Sequence, residues 1–277
     1  MTAYLIISSF LNFVAGALLA FAVMLRGRKN EINLRFGLFT LCVGAWSAAY
    51  VLWQLSEDGT KALFFSRLLM VPAYFVPVLY LHFVARLCGE PVRWWLRAGY
   101  LGALSFMVLG FSRIMVSGVM LEMDFPFWPQ AGPGFAVYLG FFAIYMLRSL
   151  LLLRRHARLS VGDRSDQFRY IFIATLVGFP GGATNFPLWY DVRVPPVGNG
   201  LIFLYLVIVA LIISRYQLPL AAYDLVQAAI YLGMAATLAV CFLLIQMAVS
   251  RLPTSLLAAG SGLIAPMALP PSSRPRR

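Results

Sequence analysis

Long apolar runs separated by short polar connections dominate the chain. Seven such runs lie between residues 4 and 213, and each is close to the roughly twenty residues that a helix needs to cross about 30 Å of hydrocarbon. They cover residues 4–25, 34–55, 63–85, 98–117, 134–153, 168–188 and 197–213. The pattern predicts an all-α membrane protein, a polytopic helix bundle with seven core spans.

Two further apolar runs follow the seventh. Residues 225–249 predict an eighth span, while residues 255–269 are short for a ninth and contain several glycines. The tail, 270–277, has no means of burying apolar surface, and we expect it to be disordered and basic. We therefore divide the chain into a seven-span domain (1–220), one or two additional spans (221–269) and the tail (270–277). Eight and nine spans both remain open.

Basic residues predict the orientation. The connections after the first, third and fifth runs hold most of the arginines, whereas the alternate connections hold Glu57, Asp58, Glu122, Asp124 and Asp191. Because basic residues accumulate on the cytoplasmic side, the N-terminus is expected outside. The first run has no basic residue before it, unlike a secretory signal peptide, so we interpret it as a retained span. The predicted location is the cell inner (plasma) membrane, with multiple passes.

The composition indicates which partners and which cofactor chemistry to expect. Hydrophobic residues make up 61% of the chain and charged residues 12%, with a net charge of +12. Since the arginines lie in loops between spans, membrane topology accounts for this charge and no nucleic-acid partner is expected. The main predicted partner is the lipid bilayer. A retinal Schiff base would need a lysine inside a span, but Lys29 and Lys61 lie in loops.

Neither a metal site, a cofactor site nor a catalytic constellation is predicted. Cys42, Cys88 and Cys241 belong to or adjoin separate spans, without metal-ligand spacing. His82 and His156 are not part of a metal-binding motif, and the sequence contains no phosphate-binding Gly-Lys-Ser/Thr loop.

Polar and aromatic residues in the predicted outer half of the spans suggest a small-molecule pocket under the turn 185–199, which interrupts two apolar runs. The second span presents aromatics at i, i+4 and i+7, and an arginine lies seven residues before a tyrosine in the third. The predicted ligand-binding residues are Trp46, Tyr50, Trp53, Arg67, Tyr74, Asn185, Trp189 and Asn199. The alternative is structural: interfacial aromatics, with the arginine neutralised by Glu57 or Asp58.

Several short motifs, in this order and spacing, resemble a known family. They are Trp46-Ser-Ala-Ala-Tyr50, Ser66-Arg-Leu-Leu69 before Pro72, Leu81-His-Phe83, Gly132-Pro-Gly134, Phe168-Arg-Tyr170, Pro195-Pro-Val-Gly-Asn199 and Ser214-Arg-Tyr-Gln-Leu218. Over about residues 4–220 the chain is similar to the N-terminal seven-transmembrane sensor region of bacterial histidine kinases. The resemblance implies a sensory, signal-transducing role in a two-component system.

In that family a cytoplasmic output domain follows the membrane module. The sequence contains no phosphoacceptor box and no ATP site, so we expect no enzymatic activity and an output supplied by a separate cytoplasmic signalling protein, unless the chain is truncated. The predicted function is a membrane sensor for a small or lipophilic signal near the outer face. A small-molecule transporter or permease subunit is the alternative, although no internal repeat or midplane charge favours it.

Overall fold

Seven α-helices, one short 3₁₀ helix and one β-hairpin are the regular elements of the described part of the protein. The computed structural model describes residues 1–26, 30–91 and 94–217. The helices are α1 (Thr2–Arg26), α2 (Glu31–Gln54), α3 (Gly59–Leu87), α4 (Trp94–Leu109), α5 (Phe135–Leu159), α6 (Asp163–Ala183) and α7 (Asn199–Gln217). The predicted eighth and ninth spans, the basic tail and Cys241 lie outside the described residues.

Each of the first seven apolar runs overlaps a helix, but the helices differ in length. Five segments are long and apolar enough to cross a membrane, namely Thr2–Met24, Glu31–Gln54, Gly59–Leu87, Phe135–Leu159 and Asp163–Tyr190. Helix α4 has 16 residues and would extend about 24 Å, and the apolar part of α7 is limited to Asn199–Ile213. The structure thus confirms a mostly helical protein with several helices that are long and apolar enough to span a membrane.

The fourth predicted span, 98–117, is wrong in its second half. Helix α4 ends at Leu109, and the chain then forms the antiparallel hairpin of β1 (Val116–Glu122) and β2 (Phe125–Ala131). A turn that begins at Gly110 ends the helix, and glycine is unfavourable in a helix because it loses more backbone entropy than other residues. The prediction of an all-α fold is corrected by this hairpin.

The bundle has two chemically different ends. One end is formed by β1, β2 and the first residues of α1, α3, α5 and α7, and we call it the hairpin end. There Tyr4 accepts from the backbone N–H of Gly200 at 3.0 Å, and the Trp53 indole donates to the Phe127 carbonyl at 2.9 Å. The opposite end, the arginine end, joins the start of α2 to the end of α3 through Arg86 and Glu31, which lie 3.2 Å apart.

Small residues allow close helix approach inside the bundle, while large apolar residues cover its outside. A Cβ on Gly16 of α1 would lie 2.8 Å from the Thr40 carbonyl oxygen of α2. Small residues at such contacts are typical of membrane helices, which pack without a hydrophobic driving force between them. Outward-facing side chains such as Phe21, Val108 and Ile144 are at least 65% exposed, as expected of a surface that meets lipid.

A proline inside α3 is compensated by a neighbouring helix. Pro77 lacks the N–H that would donate to the Ala73 carbonyl one turn earlier. The buried hydroxyl of Tyr138, on α5, donates to this carbonyl at 3.1 Å. A backbone acceptor that would otherwise be unpaired is therefore satisfied, and α3 is fixed against α5 at the proline.

Candidate functional site

The aromatic face predicted on α2 exists and forms one wall of a site. Trp46 and Tyr50 have ring centroids 5.3 Å apart, and Tyr50 and Trp53 are 4.8 Å apart. Trp53 then contacts Trp128 of β2 edge-to-face at 4.8 Å. Residues at i, i+4 and i+7 share a helix face, so this series extends from the interior of α2 to the hairpin.

The stretch 185–199 folds back over the bundle instead of continuing the sixth helix. After α6 ends at Ala183, a short 3₁₀ helix covers Pro187–Tyr190, and Asp191 adopts a left-handed conformation with φ of 58°. Trp189 stacks on Phe135 of α5 with centroids 4.4 Å apart and planes 8° from parallel. The predicted outer turn is thus a packed cover over the end of the helices.

A cavity of about 90 Å³ lies beneath this cover, between α2, α3, α5, α6 and α7. Its lining includes five of the eight predicted ligand-binding residues: Trp46, Tyr50, Trp53, Asn185 and Trp189. The other lining residues are Phe39, Val43, Leu69, Met70, Ala73, Val76, Tyr138, Phe142, Gly178, Phe179, Gly182, Phe186, Ile202 and Tyr205. Its described lining contains no charged side chain.

Most of the polar groups that hold the cavity walls together are bonded to protein. The Tyr50 hydroxyl donates to Asn185 Oδ1 at 2.9 Å, and Asn185 Nδ2 donates to the Gly182 carbonyl at 2.8 Å. The indole of Trp53 and the hydroxyl of Tyr138 donate to the carbonyls described above. These four side chains therefore present mainly aromatic and apolar surface to an occupant.

The three remaining predicted residues lie near this region and do not line the cavity. Arg67 Nη2 donates to the Val116 carbonyl at 3.0 Å and so holds the hairpin to α3. Tyr74 is fully buried and stacks on Phe106 of α4 at 5.8 Å. Asn199 Nδ2 donates to Ser9 Oγ at 2.7 Å, which joins α7 to α1. These contacts hold α3 to the hairpin and to α4, and α7 to α1.

Glu57 and Asp58, the proposed counter-ions of the arginine in α3, have another partner. Lys61 lies 3.6 Å from the Glu57 carboxylate and 3.4 Å from that of Asp58. The Asp58 carboxylate also accepts hydrogen bonds from the backbone N–H groups of Thr60 and Lys61 at the start of α3. The bond from the Lys61 N–H contributes most to lowering the pKa of the Asp58 carboxyl. The pair Lys61–Asp58 thus belongs to a helix cap.

Sequence reasoning missed most of the apolar lining. Met70, Phe142, Phe179 and Tyr205 come from four helices and meet only in the tertiary structure. A buried apolar side chain inside an apolar span carries no distinguishing sequence signal. Gly178 and Gly182 did carry a sequence signal, since glycines four residues apart leave space on one helix face.

A buried carboxyl lies outside the helices, at the hairpin end. Glu122, the last residue of β1, is 3% exposed, and Gln130 Nε2 donates to its Oε1 at 3.4 Å. Burial raises the pKa of Glu122, and the neighbouring Asp191 carboxyl raises it further, while Arg193 lowers it. This carboxyl therefore connects the hairpin electrostatically to the turn 185–199.

The apolar exterior and the membrane-length helices together indicate a multi-pass helical membrane protein. The chain matches, over residues 5–221, the family described as the N-terminal 7TM region of histidine kinase, and it belongs to that family. The resemblance inferred from the sequence over residues 4–220 is confirmed. No curated protein and no solved structure matches the chain.

Proposed function

We propose that this protein is a membrane sensory module that binds a small, uncharged and largely apolar signal in the cavity beneath the turn 185–199. The observation that carries the proposal is a cavity with an aromatic lining and no charged residue among the described ones. A charged ligand would lose its hydration there without gaining a counter-ion. A neutral aromatic or aliphatic group would exchange water for aromatic faces.

The size of the cavity limits what binds without rearrangement. Its volume is about 90 Å³, whereas an engineered apolar cavity of about 150 Å³ accommodates benzene. A single ring or a short chain therefore has to displace lining side chains or a helix. The end of α6 is the part best placed to move, because Asn185 and Gly182 line the cavity and Pro180 interrupts the hydrogen bonding of that helix.

Displacement of α6 offers a route to the other end of the bundle. Helix α6 runs from the cavity to the arginine end, where Arg164 donates to the Leu87 carbonyl of α3 at 3.2 Å. A ligand that binds one position of α6 better than another shifts the population of the two positions. A separate cytoplasmic signalling protein is the partner that we propose for reading this shift.

We propose that the protein lies in the inner (plasma) membrane. The hairpin end would then face outward, and the arginine end would face the cytoplasm. This orientation is supported by the arginines at the end of α5, the start of α6 and the end of α7, and by the acidic residues Glu122 and Asp191 at the hairpin end. Positive residues accumulate on the cytoplasmic side of membrane proteins. The cavity then lies nearer to the outer face.

Photolabelling with a neutral phenyl diazirine in lipid nanodiscs tests the proposal. Peptide mapping should find label on Met70, which is 1% exposed and lines the cavity, in addition to lipid-facing Ile144. Excess toluene should reduce labelling at Met70, and benzoate, which has a similar ring but a negative charge, should not. Labelling at Ile144 provides the internal reference for partition into lipid.

A pair of matched variants locates the label. Ala73→Leu adds a side chain that fills the cavity, so labelling of Met70 should fall at least several-fold, whereas Ala98→Leu makes the same change at an exposed position of α4. Equal labelling of Met70 in both variants would contradict the proposed pocket. Competition by benzoate as strong as that by toluene would contradict the proposed ligand class.

A further inference from the structure

Three arginines converge on a pocket at the arginine end, on the outer surface of α5 and α6 and away from the cavity. Arg154 and Arg158 lie one turn apart on α5, and Arg169 lies on the first half of α6. The pocket has a volume of about 430 Å³, and Ser165 also lines it. Residues at i and i+4 share a helix face, so the two α5 guanidinium groups face the same space.

This positive charge is poorly compensated by the protein. Neither Arg154 nor Arg158 forms a salt bridge with any of the residues that the structure describes. Arg169 lies 3.9 Å from Asp166, with both side chains about half exposed or more, and such a pair is weak. Like charges one helix turn apart repel each other, so an anion in this pocket would relieve the repulsion.

Apolar surface adjoins the arginines on the side toward the middle of α6. Ala157, Phe172 and Ile173 are the apolar residues of the pocket, and Ile173 also lines a second groove of about 400 Å³ between α6 and α7. That groove is formed by aliphatic side chains such as Val177, Leu204 and Ile208. Positive charge at the helix ends, followed by apolar surface toward the helix centre, matches the order of headgroup and acyl chain in a lipid.

We propose that the pocket binds the phosphate group of an anionic phospholipid, with an acyl chain lying along the adjoining apolar groove, which shares Ile173 with the pocket. Guanidinium groups suit this role because they form paired hydrogen bonds with phosphate oxygens. The proposal does not depend on ligand binding in the cavity. Since α6 contributes to both sites, a bound lipid would hold the first half of the helix whose other end lines the cavity.

A titration of the purified protein with phosphatidylglycerol, followed by native mass spectrometry, tests the site. The variant Arg154→Gln with Arg158→Gln removes two pocket charges. Each basic residue near an anionic membrane surface contributes a factor of about five to binding, so we expect affinity to fall about 25-fold. The control, Arg97→Gln with Arg155→Gln, removes two exposed arginines that do not line the pocket and should change affinity less than threefold.

The competing explanations give different results. Equal losses in the two double variants would show that net charge alone attracts the lipid, and would overturn the site. Phosphatidylcholine binding as tightly as phosphatidylglycerol would also overturn it. Displacement of the lipid by inorganic phosphate at equal concentration would identify a free-phosphate site and exclude the lipid. Unchanged thermal unfolding in phosphatidylcholine nanodiscs should confirm that both double variants fold. If the pocket double variant does not fold, the single variant Arg158→Gln replaces it in the titration.

Discussion

The Tyr50 hydroxyl donates a hydrogen bond to Asn185 Oδ1 at 2.9 Å, and this buried contact joins α2 to the stretch that covers the cavity. Tyr50 is 1% exposed and Asn185 4%, so water does not compete for the bond. Asn185 is also bonded to the Gly182 carbonyl, one turn earlier. The pair thus fixes the end of α6 against the aromatic face of α2.

A double-mutant cycle measures this contact. We expect Tyr50→Phe and Asn185→Ala each to reduce thermal stability in detergent, with a coupling free energy of about 1 kcal/mol between them. The control is Tyr170→Phe, which removes a hydroxyl from an exposed position of α6. Additive effects of Tyr50→Phe and Asn185→Ala would show that the hydrogen bond does not stabilise the folded protein.

The proline compensation in α3 predicts a rescue. Tyr138→Phe should cost about 1–3 kcal/mol of unfolding free energy, because the buried Ala73 carbonyl loses its donor. Adding Pro77→Ala restores a backbone N–H that can bond to the same carbonyl, so the double variant should be more stable than Tyr138→Phe alone. Chemical denaturation of both in mixed micelles provides the comparison. A double variant that is less stable than Tyr138→Phe would contradict this explanation.

Close packing between α6 and α7 predicts strong sensitivity at Gly178. An added Cβ there would lie 2.4 Å from the Tyr205 Cβ, which is attached to the backbone and cannot rotate away. Gly178→Ala should therefore destabilise the protein by about 1–3 kcal/mol. Gly140→Ala in α5 meets no atom within 4 Å and should be neutral or slightly stabilising. Thermal unfolding followed by circular dichroism distinguishes the two, and equal midpoints would refute the close contact.

The Glu122 carboxyl predicts a pH dependence at the hairpin end. Because burial raises its pKa in the folded state, folded protein binds the proton more tightly than unfolded protein does. Stability should therefore decrease as pH rises from the ordinary carboxyl range through the raised pKa. Asp58 has a lowered pKa and acts in the opposite direction, losing its contribution as pH falls.

Thermal unfolding between pH 4 and pH 8 checks the contribution of Glu122. In Glu122→Gln the decrease with rising pH should be smaller than in the wild-type protein, while Glu57→Gln, at a side chain that is 87% exposed, should follow the wild type. Identical slopes in wild type and Glu122→Gln would show that this carboxyl does not titrate differently in the folded state.

The sequence by itself determined the class of protein and most of the helices. Apolar runs near bilayer length favour helices, because a helix pairs its own backbone groups, and a helix overlaps each of the seven runs between residues 4 and 213. The i, i+4, i+7 spacing of Trp46, Tyr50 and Trp53 likewise placed them on one face, because helix geometry is local. Short motifs in order were sufficient to identify the family.

Only the tertiary structure decided which candidate residues share a site. Asn185 and Trp189 meet the α2 aromatics because the chain folds back after α6, whereas Arg67 donates to the carbonyl of Val116 in a hairpin that the sequence did not predict. Asn199 is used in contacts with α1, a helix far away in sequence. Such contacts depend on long-range packing, which the spacing of residues along one helix does not encode. The predicted depth of a residue in the membrane therefore suggested which residues lie near each other, but it could not show which of them form a contact.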